Sequence, residues 1–395
     1  MTYVIQRDLK IHNLAYILGI RWGLIYILFR RQAERSINLM KKILVINPGA
    51  TSTKICVFED DREVMRVGID HDASEIAKYP HVVDQAPFRK EAILRTIEEK
   101  GYKLEDFDAI CGRGGLFKHI PSGTYKVNDA VIRDIKNPPY GEHAANLGAY
   151  ISKELADSVG IPSFFVDPVC VDEMEPLARY SGLGLPGFER QSFFHPLNHK
   201  SVARKAAKQL GRSYEELNLV ICHLGGGVSV AAHKKGRVVD VNNVKDDGAM
   251  GMDRGGALPA NALVNLCFKE GMTKAEVKRI IGQEAGVYSY TGTKDFRVVE
   301  NAAFDDGDEK MLMAFKAIAY QLAKDIGAMS AVLRYNVDAI IFTGGMAYSE
   351  RFCEEIGSYV NKIAPILRFP GEEEMKALAE GALKALETGH WEIYE

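Results

Sequence analysis

A short pattern occurs twice in this chain: "DAICGRGG" from Asp108 to Gly115 and "DAIIFTGG" from Asp338 to Gly345. Each is Asp-Ala-Ile, three further residues and Gly-Gly, and each reads as a short buried strand ending in a glycine turn. A second shared unit precedes each copy. "VINPGATSTKICVF" (45–58) sets two runs rich in Ile and Val around a tight turn, and "EVMRVGI" (63–69) adds a third strand. "LNLVICHLGGGVSVAAHKKGRVVDVNN" (217–243) repeats that plan, with a glycine turn at Gly225–Gly227 and a charged turn at "HKKGR". Either match alone could be coincidence. Two different elements repeated in the same order point to two related α/β domains, each offering glycine turns to a shared cleft.

Helical stretches separate the strands. "RKEAILRTIEEKG" (89–101) has helical spacing and ends at Gly101. "NHKSVARKAAKQLG" (198–211) has Asn198 in the N-cap role and Gly211 closing it. Residues 309–333 are long and apolar enough for a core helix, and 372–388 form a terminal helix, acidic where a helix dipole favours negative charge. The alternation predicts a mixed α/β fold. The expected organisation is an N-terminal α/β domain over 40–165 and a C-terminal α/β domain over 166–372, with 373–395 packing back on the first.

Residues 1–39 stand apart. "LAYILGIRWGLIYILF" (14–29) is apolar but interrupted by Arg21 and short for a membrane span. Asp8, Lys10 and His12 precede it and no small-residue cleavage site follows. Met40 then opens "MKKILVINPG". We read 1–39 as an upstream extension outside the fold; a membrane-surface helix is the competing reading. The net charge of −3 leaves no electrostatic footprint for nucleic acid. Six cysteines are scattered without a C-x-x-C pair, and Cys56, Cys111 and Cys222 lie in strand-like runs, which reads as reduced core thiols in a cytoplasmic protein.

Backbone N–H groups in tight glycine turns form anion-binding concavities, and glycine lets the backbone approach a phosphate without a Cβ in the way. In the turn after "VIN", Ser and Thr hydroxyls add donors and Lys54 adds a charge. The G-x-x-x-x-G-K-[ST] loop is absent, and a strand follows instead of a helix. One such turn is most simply a hairpin. Four of them, "NPGATSTK", "GRGG", "HLGGG" and "FTGGM", predict nucleotide binding.

These segments resemble the acetokinase family of acetate and butyrate kinases. "INPGATSTK" resembles its first phosphate motif, in the form seen in butyrate kinases, and "CHLGGGVSVAAHKKG" its second. "GAMGMDRGGALPA" (248–260) resembles the arginine-bearing loop, and "GVYSYTGTKDFR" (286–297) and "FTGGMAYSERF" (342–352) the adenosine-binding segments. The resemblance runs from about Met40 to the C terminus. It implies the duplicated two-domain fold with an interdomain cleft that acetate kinases share with sugar kinases, Hsp70 and actin. It also implies reversible phosphoryl transfer from ATP to a short-chain carboxylate, with Mg²⁺ as cofactor and a homo-oligomeric assembly. The butyrate form makes butyrate the expected acid. Acetate, propionate or branched acids are the alternatives, and an Hsp70- or actin-like ATPase binding protein partners is the alternative from another class.

Position by position, the resemblance implies catalytic roles for Asn47, Arg113, Asp167, His195 and Arg254. It implies nucleotide and phosphate contacts for Ser52, Lys54, His143, His223, Gly225, Gly226, Gly227, Asp295, Arg297, Gly344 and Gly345. Asp167 and Glu373 are its metal ligands, with Glu372 or Glu374 as alternatives to Glu373. Ala50 departs from the family, where acetate kinases carry serine, and "GRGG" around Arg113 is shorter than their segment. Bringing an anionic carboxylate to a phosphate needs compensating charge, which the forked donors of Arg113 and Arg254 supply, and no general base, since the acid is already ionised. His195 would donate to the transferring group, His143 and His223 would position phosphate oxygens, and "DPVCVDEMEPLARYSGLGLP" (167–186) would shape the acyl pocket.

Overall fold

Residues 40–395 are described by the computed structural model; the reading of 1–39 falls on residues outside that range. The Ile- and Val-rich runs pair as expected. β1 (Lys42–Pro48) and β2 (Ser52–Glu59) are antiparallel, with Asn47 opposite Lys54, and β3 (Arg62–Asp70) continues the meander. β4 (Ala109–Gly112) lies parallel to β1 on its other side. β6 (Ser163–Val166) follows parallel to β4, and β5 (Thr124–Lys126) closes the edge, for the order β3-β2-β1-β4-β6-β5.

The second half repeats this. β7 (Asn218–Leu224), β8 (Val228–Lys234) and β9 (Arg237–Val241) form an antiparallel meander. β10 (Ala339–Gly344) and β11 (Ile366–Pro370) lie parallel to β7, giving β11-β10-β7-β8-β9. The five strands β3-β2-β1-β4-β6 correspond one for one to β9-β8-β7-β10-β11. The repeated aspartate has one job in both copies. Asp108 Oδ2 accepts from Lys42 N at 2.9 Å while its own N–H donates to Lys42 O at 2.8 Å. Asp338 Oδ2 accepts from Asn218 N at 2.8 Å and its N–H donates to Asn218 O at 2.8 Å. Each aspartate closes the open end of a parallel strand pair, where backbone groups would otherwise lack partners.

Helices cover both faces of each sheet, so the central strands are apolar on both sides. Ile93 and Ile97 of the Ala86–Glu99 helix and Leu147 and Ile151 of the Asn146–Val159 helix pack on one face of the first sheet. Met375, Leu378 and Ala382 of the terminal Glu374–Thr388 helix pack on the other, joined by Leu197. Phe315, Ile318 and Leu322 of the Glu309–Val332 helix fill one face of the second sheet, and Val202, Ala203 and Ala206 of the Pro196–Gln209 helix fill the other. The Pro196–Gln209 helix therefore packs against both the second sheet and the terminal helix, within the single unit Lys42–Glu395.

One local expectation is corrected. The helix expected to start at Asn198 starts at Pro196, because proline pre-sets the first turn, and His195 takes the N-cap position. Asn198 lies inside the helix, and its Oδ1 pairs with His223 Nδ1 at 3.0 Å. No helix among the described residues is long and apolar enough to cross a membrane.

The end of β4 meets the start of the Asn146–Val159 helix at backbone contact. A Cβ on Gly112 would lie 2.0 Å from Gly148 O, so nothing larger fits before Arg113. Gly112→Ala should lower the urea-unfolding free energy by about 1–3 kcal/mol, the usual range for overpacking; a wild-type midpoint would mean that the helix shifts freely.

Candidate active site

The hydroxyl-rich turn at 49–53 is shaped from beneath by a residue that no motif singled out. The Arg89 side chain is fully buried. Its guanidinium donates to Gly49 O (3.0 Å), Ala50 O (3.0 Å), Ser52 O (3.2 Å) and Thr53 Oγ1 (3.2 Å), and to Gln85 Oε1 at 2.9 and 3.2 Å. Burial lowers its pKa, and these acceptors offset the cost of taking the charge out of water. A cation in the first turn of a helix opposes the helix dipole, and that was the sequence signal available for Arg89.

Asn47, at the end of β1, is buried, and its Nδ2 donates to Glu374 Oε2 at 2.9 Å. Arg113, just past β4, donates from Nη2 to Glu374 Oε1 at 2.7 Å and from Nη1 toward Asn47 Oδ1 at 3.4 Å. Lys54 faces Asn47 across the hairpin, so its side chain lies on the same face of the sheet.

On the facing side, the His195 and His223 rings stack with centroids 3.9 Å apart. His195 Nδ1 is bonded to Ser229 Oγ at 2.9 Å, and His223 Nε2 lies 3.3 Å from Glu372 Oε1. Arg254 reaches the same spot: a Cβ on Gly227 would lie 3.1 Å from Arg254 Nη1 and 3.6 Å from His195 Cε1. Burial, then His223 and His199, then the guanidiniums of Arg113 and Arg254, push the His195 pKa well down. His143 is exposed at the rim of the site, yet desolvation by the protein around it, then the charges of Arg113, Arg254 and Lys245, lowers its pKa to about 4. Glu372 is held down to about 2, chiefly by its hydrogen bond with His223, with Arg113 and Lys54 adding charge. Arg113 from the first half and Arg254 from the second thus act on the same two neutral histidines.

Beside this cluster, a groove of about 540 Å³ is lined by Gly225, Gly226, Gly345, Met346, Asp295 and Arg297. Gly226 and Gly345 have open space where a Cβ would stand. Gly344 does not: its φ of 88° and its contact with Leu224 O make it a packing glycine. Asp295 caps its helix through Arg297 N at 2.9 Å and pairs with the Arg297 guanidinium at 2.7 Å.

Two expected metal ligands fall elsewhere. Glu373 pairs with Lys205, because the turn before the terminal helix sends adjacent side chains in different directions. Glu374 and Glu372, not Glu373, engage Asn47, Arg113 and His223. Asp167 is buried, and its Oδ1 accepts from Ser122 Oγ (2.6 Å) and Gly123 N (2.9 Å). It lines a separate cavity of about 610 Å³ with Arg204, Glu380 and Lys384, a cavity that does not include Asn47, Arg113 or Arg254.

The sequence model of the Acetokinase family matches residues 187–364, from the loop before His195 to the turn before β11. The fold is that of the acetate kinases. The acetate kinase of Porphyromonas gingivalis superposes with a TM-score of 0.72 at 22% identity, covering 88% of this chain and 100% of that one. The propionate kinase of Francisella tularensis gives a TM-score of 0.68 at 17% identity, covering 87% and 99%. The acetate kinase of Entamoeba histolytica gives 0.68 at 16% identity, covering 86% and 98%.

Six histidines (His71, His119, His143, His195, His199 and His233) have lowered pKa values, burial being the first cause in each. As pH falls through 6.5 the unfolded chain binds protons that these rings refuse in the fold, so stability must fall. The urea midpoint should be lower at pH 5 than at pH 7; an unchanged midpoint would mean that these rings protonate in place.

Proposed function

We propose that this chain is an ATP-dependent carboxylate kinase that transfers the γ-phosphoryl group to a short-chain acid, reversibly and by direct in-line attack. The observation that carries the reading is the meeting of Arg254 and His195 at Gly227, beside the glycine groove, with Arg113 held at Asn47 and close enough, like Arg254, to lower the pKa of His143 and His195. A carboxylate oxygen forms the new bond to phosphorus as the bond to the β-phosphate oxygen breaks and ADP leaves. Charge spreads over the equatorial oxygens during that passage, and two guanidiniums neutralise it while holding the acid against the donor. A neutral His195 donates a hydrogen bond without adding charge, and no proton is transferred.

In this reading Asn47 and the 49–53 turn meet the transferring phosphoryl group, with Lys54 behind them. His143 and His223 position phosphate oxygens, and Gly225–Gly227 and Gly345 border the nucleotide. A Mg²⁺ ion fits Glu372 better than Asp167 or Glu373. The Glu372 carboxylate is ionised, partly exposed and at the cluster with His223 beside it, whereas Asp167 is buried on Ser122 and Gly123 in a separate cavity and Glu373 turns away to Lys205. Mg²⁺ takes few protein ligands, completing its shell with water and phosphate oxygens, and would neutralise charge on the phosphates.

Butyrate is the proposed acid, on the Asn-Pro-Gly-x-Thr-Ser-Thr-Lys form of the first turn. Acetate or propionate is the second reading, favoured by the acetate and propionate kinases among the structural neighbours. A pocket distinguishes acids by about 1–3 kcal/mol per methylene. A hydroxamate assay of acyl phosphate across C2 to C5 acids should therefore give overlapping activities with the highest kcat/KM at butyrate. A maximum at acetate would transfer the reading, and ATP hydrolysis indifferent to acids would end it. Arg254→Ala should cut kcat on the order of 10³-fold with an unchanged melting temperature; unaltered turnover would remove Arg254 from the chemistry.

A further inference from the structure

Behind His195 runs an unbroken line of buried hydrogen bonds. His195 Nδ1 meets Ser229 Oγ at 2.9 Å, and Ser229 Oγ meets His199 Nε2 at 2.9 Å. His199 Nδ1 meets His233 Nε2 at 3.2 Å, and His233 Nδ1 meets Tyr214 Oη at 2.6 Å. Ser229, His199 and His233 are at most 1% exposed and Tyr214 is 6% exposed. The geometry is built by periodicity: His199 lies one helical turn after His195, and Ser229 and His233 lie an even number of residues apart on one face of β8.

We propose that Tyr214, His233, His199 and Ser229 are positioning residues that fix His195 as the tautomer carrying its proton on Nε2. A neutral imidazole has one N–H and one lone pair. Among the described residues the Ser229 hydroxyl is bonded only to His195 and His199, so if it accepted from both rings its own buried proton would lack an acceptor, and the line therefore runs in a single direction. Among the described residues Tyr214 Oη has His233 Nδ1 as its hydrogen-bond partner, and a buried phenol proton left without an acceptor is costly. Tyr214 therefore donates to His233 Nδ1. His233 Nε2–H donates to His199 Nδ1, and His199 Nε2–H donates to Ser229 Oγ. Ser229 donates to His195 Nδ1, which leaves the His195 proton on Nε2. The opposite direction would leave a lone pair on Nε2, where it repels phosphate oxygen. Burial lowers the pKa of all three rings and keeps them neutral, as the argument requires. The kinetic consequence rests on the carboxylate-kinase reading; the tautomer does not.

The test is ¹⁵N NMR of the full chain labelled at histidine, with His195 assigned by difference against His195→Gln. In the wild type, His195 Nδ1 should be unprotonated and Nε2 protonated. Tyr214→Phe removes the terminal donor and should introduce an Nδ1–H signal and lower kcat roughly 10–100-fold, the usual cost of losing an orienting partner, with KM for ATP changed less than kcat. Ser229→Ala should do the same and Ser229→Thr should restore both, which keeps the test available if Tyr214→Phe does not fold. A wild-type His195 protonated on Nδ1, or an unchanged tautomer and kcat in Ser229→Ala, would overturn the proposal. A wild type that phosphorylates no acid would refute the functional reading while the spectrum still decides the tautomer.

Discussion

The buried carboxylate of Glu374 holds the site together. It is bonded to Asn47, which lies 327 residues earlier, and to Arg113. Removing it would take from the guanidinium at the end of β4 its direct ion-pair partner, and breaking a buried pair typically costs about 3–5 kcal/mol. The same contact anchors the first turn of the terminal helix, whose apolar face covers the first sheet. One ion pair therefore sets where β1, β4 and the terminal helix meet, and with them the direction of Arg113.

Around that pair the charges are divided in a way suited to anions. Guanidiniums from the two halves of the chain face imidazoles that desolvation and those same positive charges keep neutral. Had His143 and His195 been cationic, they would have repelled Arg113 and Arg254 and bound phosphate as permanent counter-ions, favouring ground and transition states alike. Neutral donors between fixed positive charges leave the stronger interaction for the moment when charge moves between oxygens.

The duplication was legible because both of its signals are local. Alternating Ile and Val runs and glycine turns mark strands, and the Asp-Ala-Ile copies mark the parallel partners. The grouping of Asn47 with Arg113 and of His195 with Arg254 and Gly227 followed from motif resemblance. What escaped is what only three-dimensional packing determines. Arg89 sits in an ordinary amphipathic run and acts through backbone carbonyls 37 to 40 positions earlier. Asn198 read as a cap because caps favour asparagine, but Pro196 starts the helix earlier and turns that side chain toward His223. Three consecutive glutamates cannot be told apart by type, and the turn before the helix assigns them three different partners: His223 to Glu372, Lys205 to Glu373, Arg113 to Glu374.

The two copies also show how a repeat divides its labour. Arg113 and Thr343 occupy equivalent places after the Asp-Ala-Ile strands. Arg113 carries its charge into the site, whereas Thr343 Oγ1 donates to Gly371 O at 3.2 Å. Gly344 and Gly371 then exchange N–H···O bonds at 3.0 Å in both directions. That clasp fixes the chain immediately before Glu372, and so fixes where Glu372 and Glu374 emerge. The end of the second strand pair thus delivers the carboxylates that the end of the first strand pair requires, which is why neither half can form this site alone.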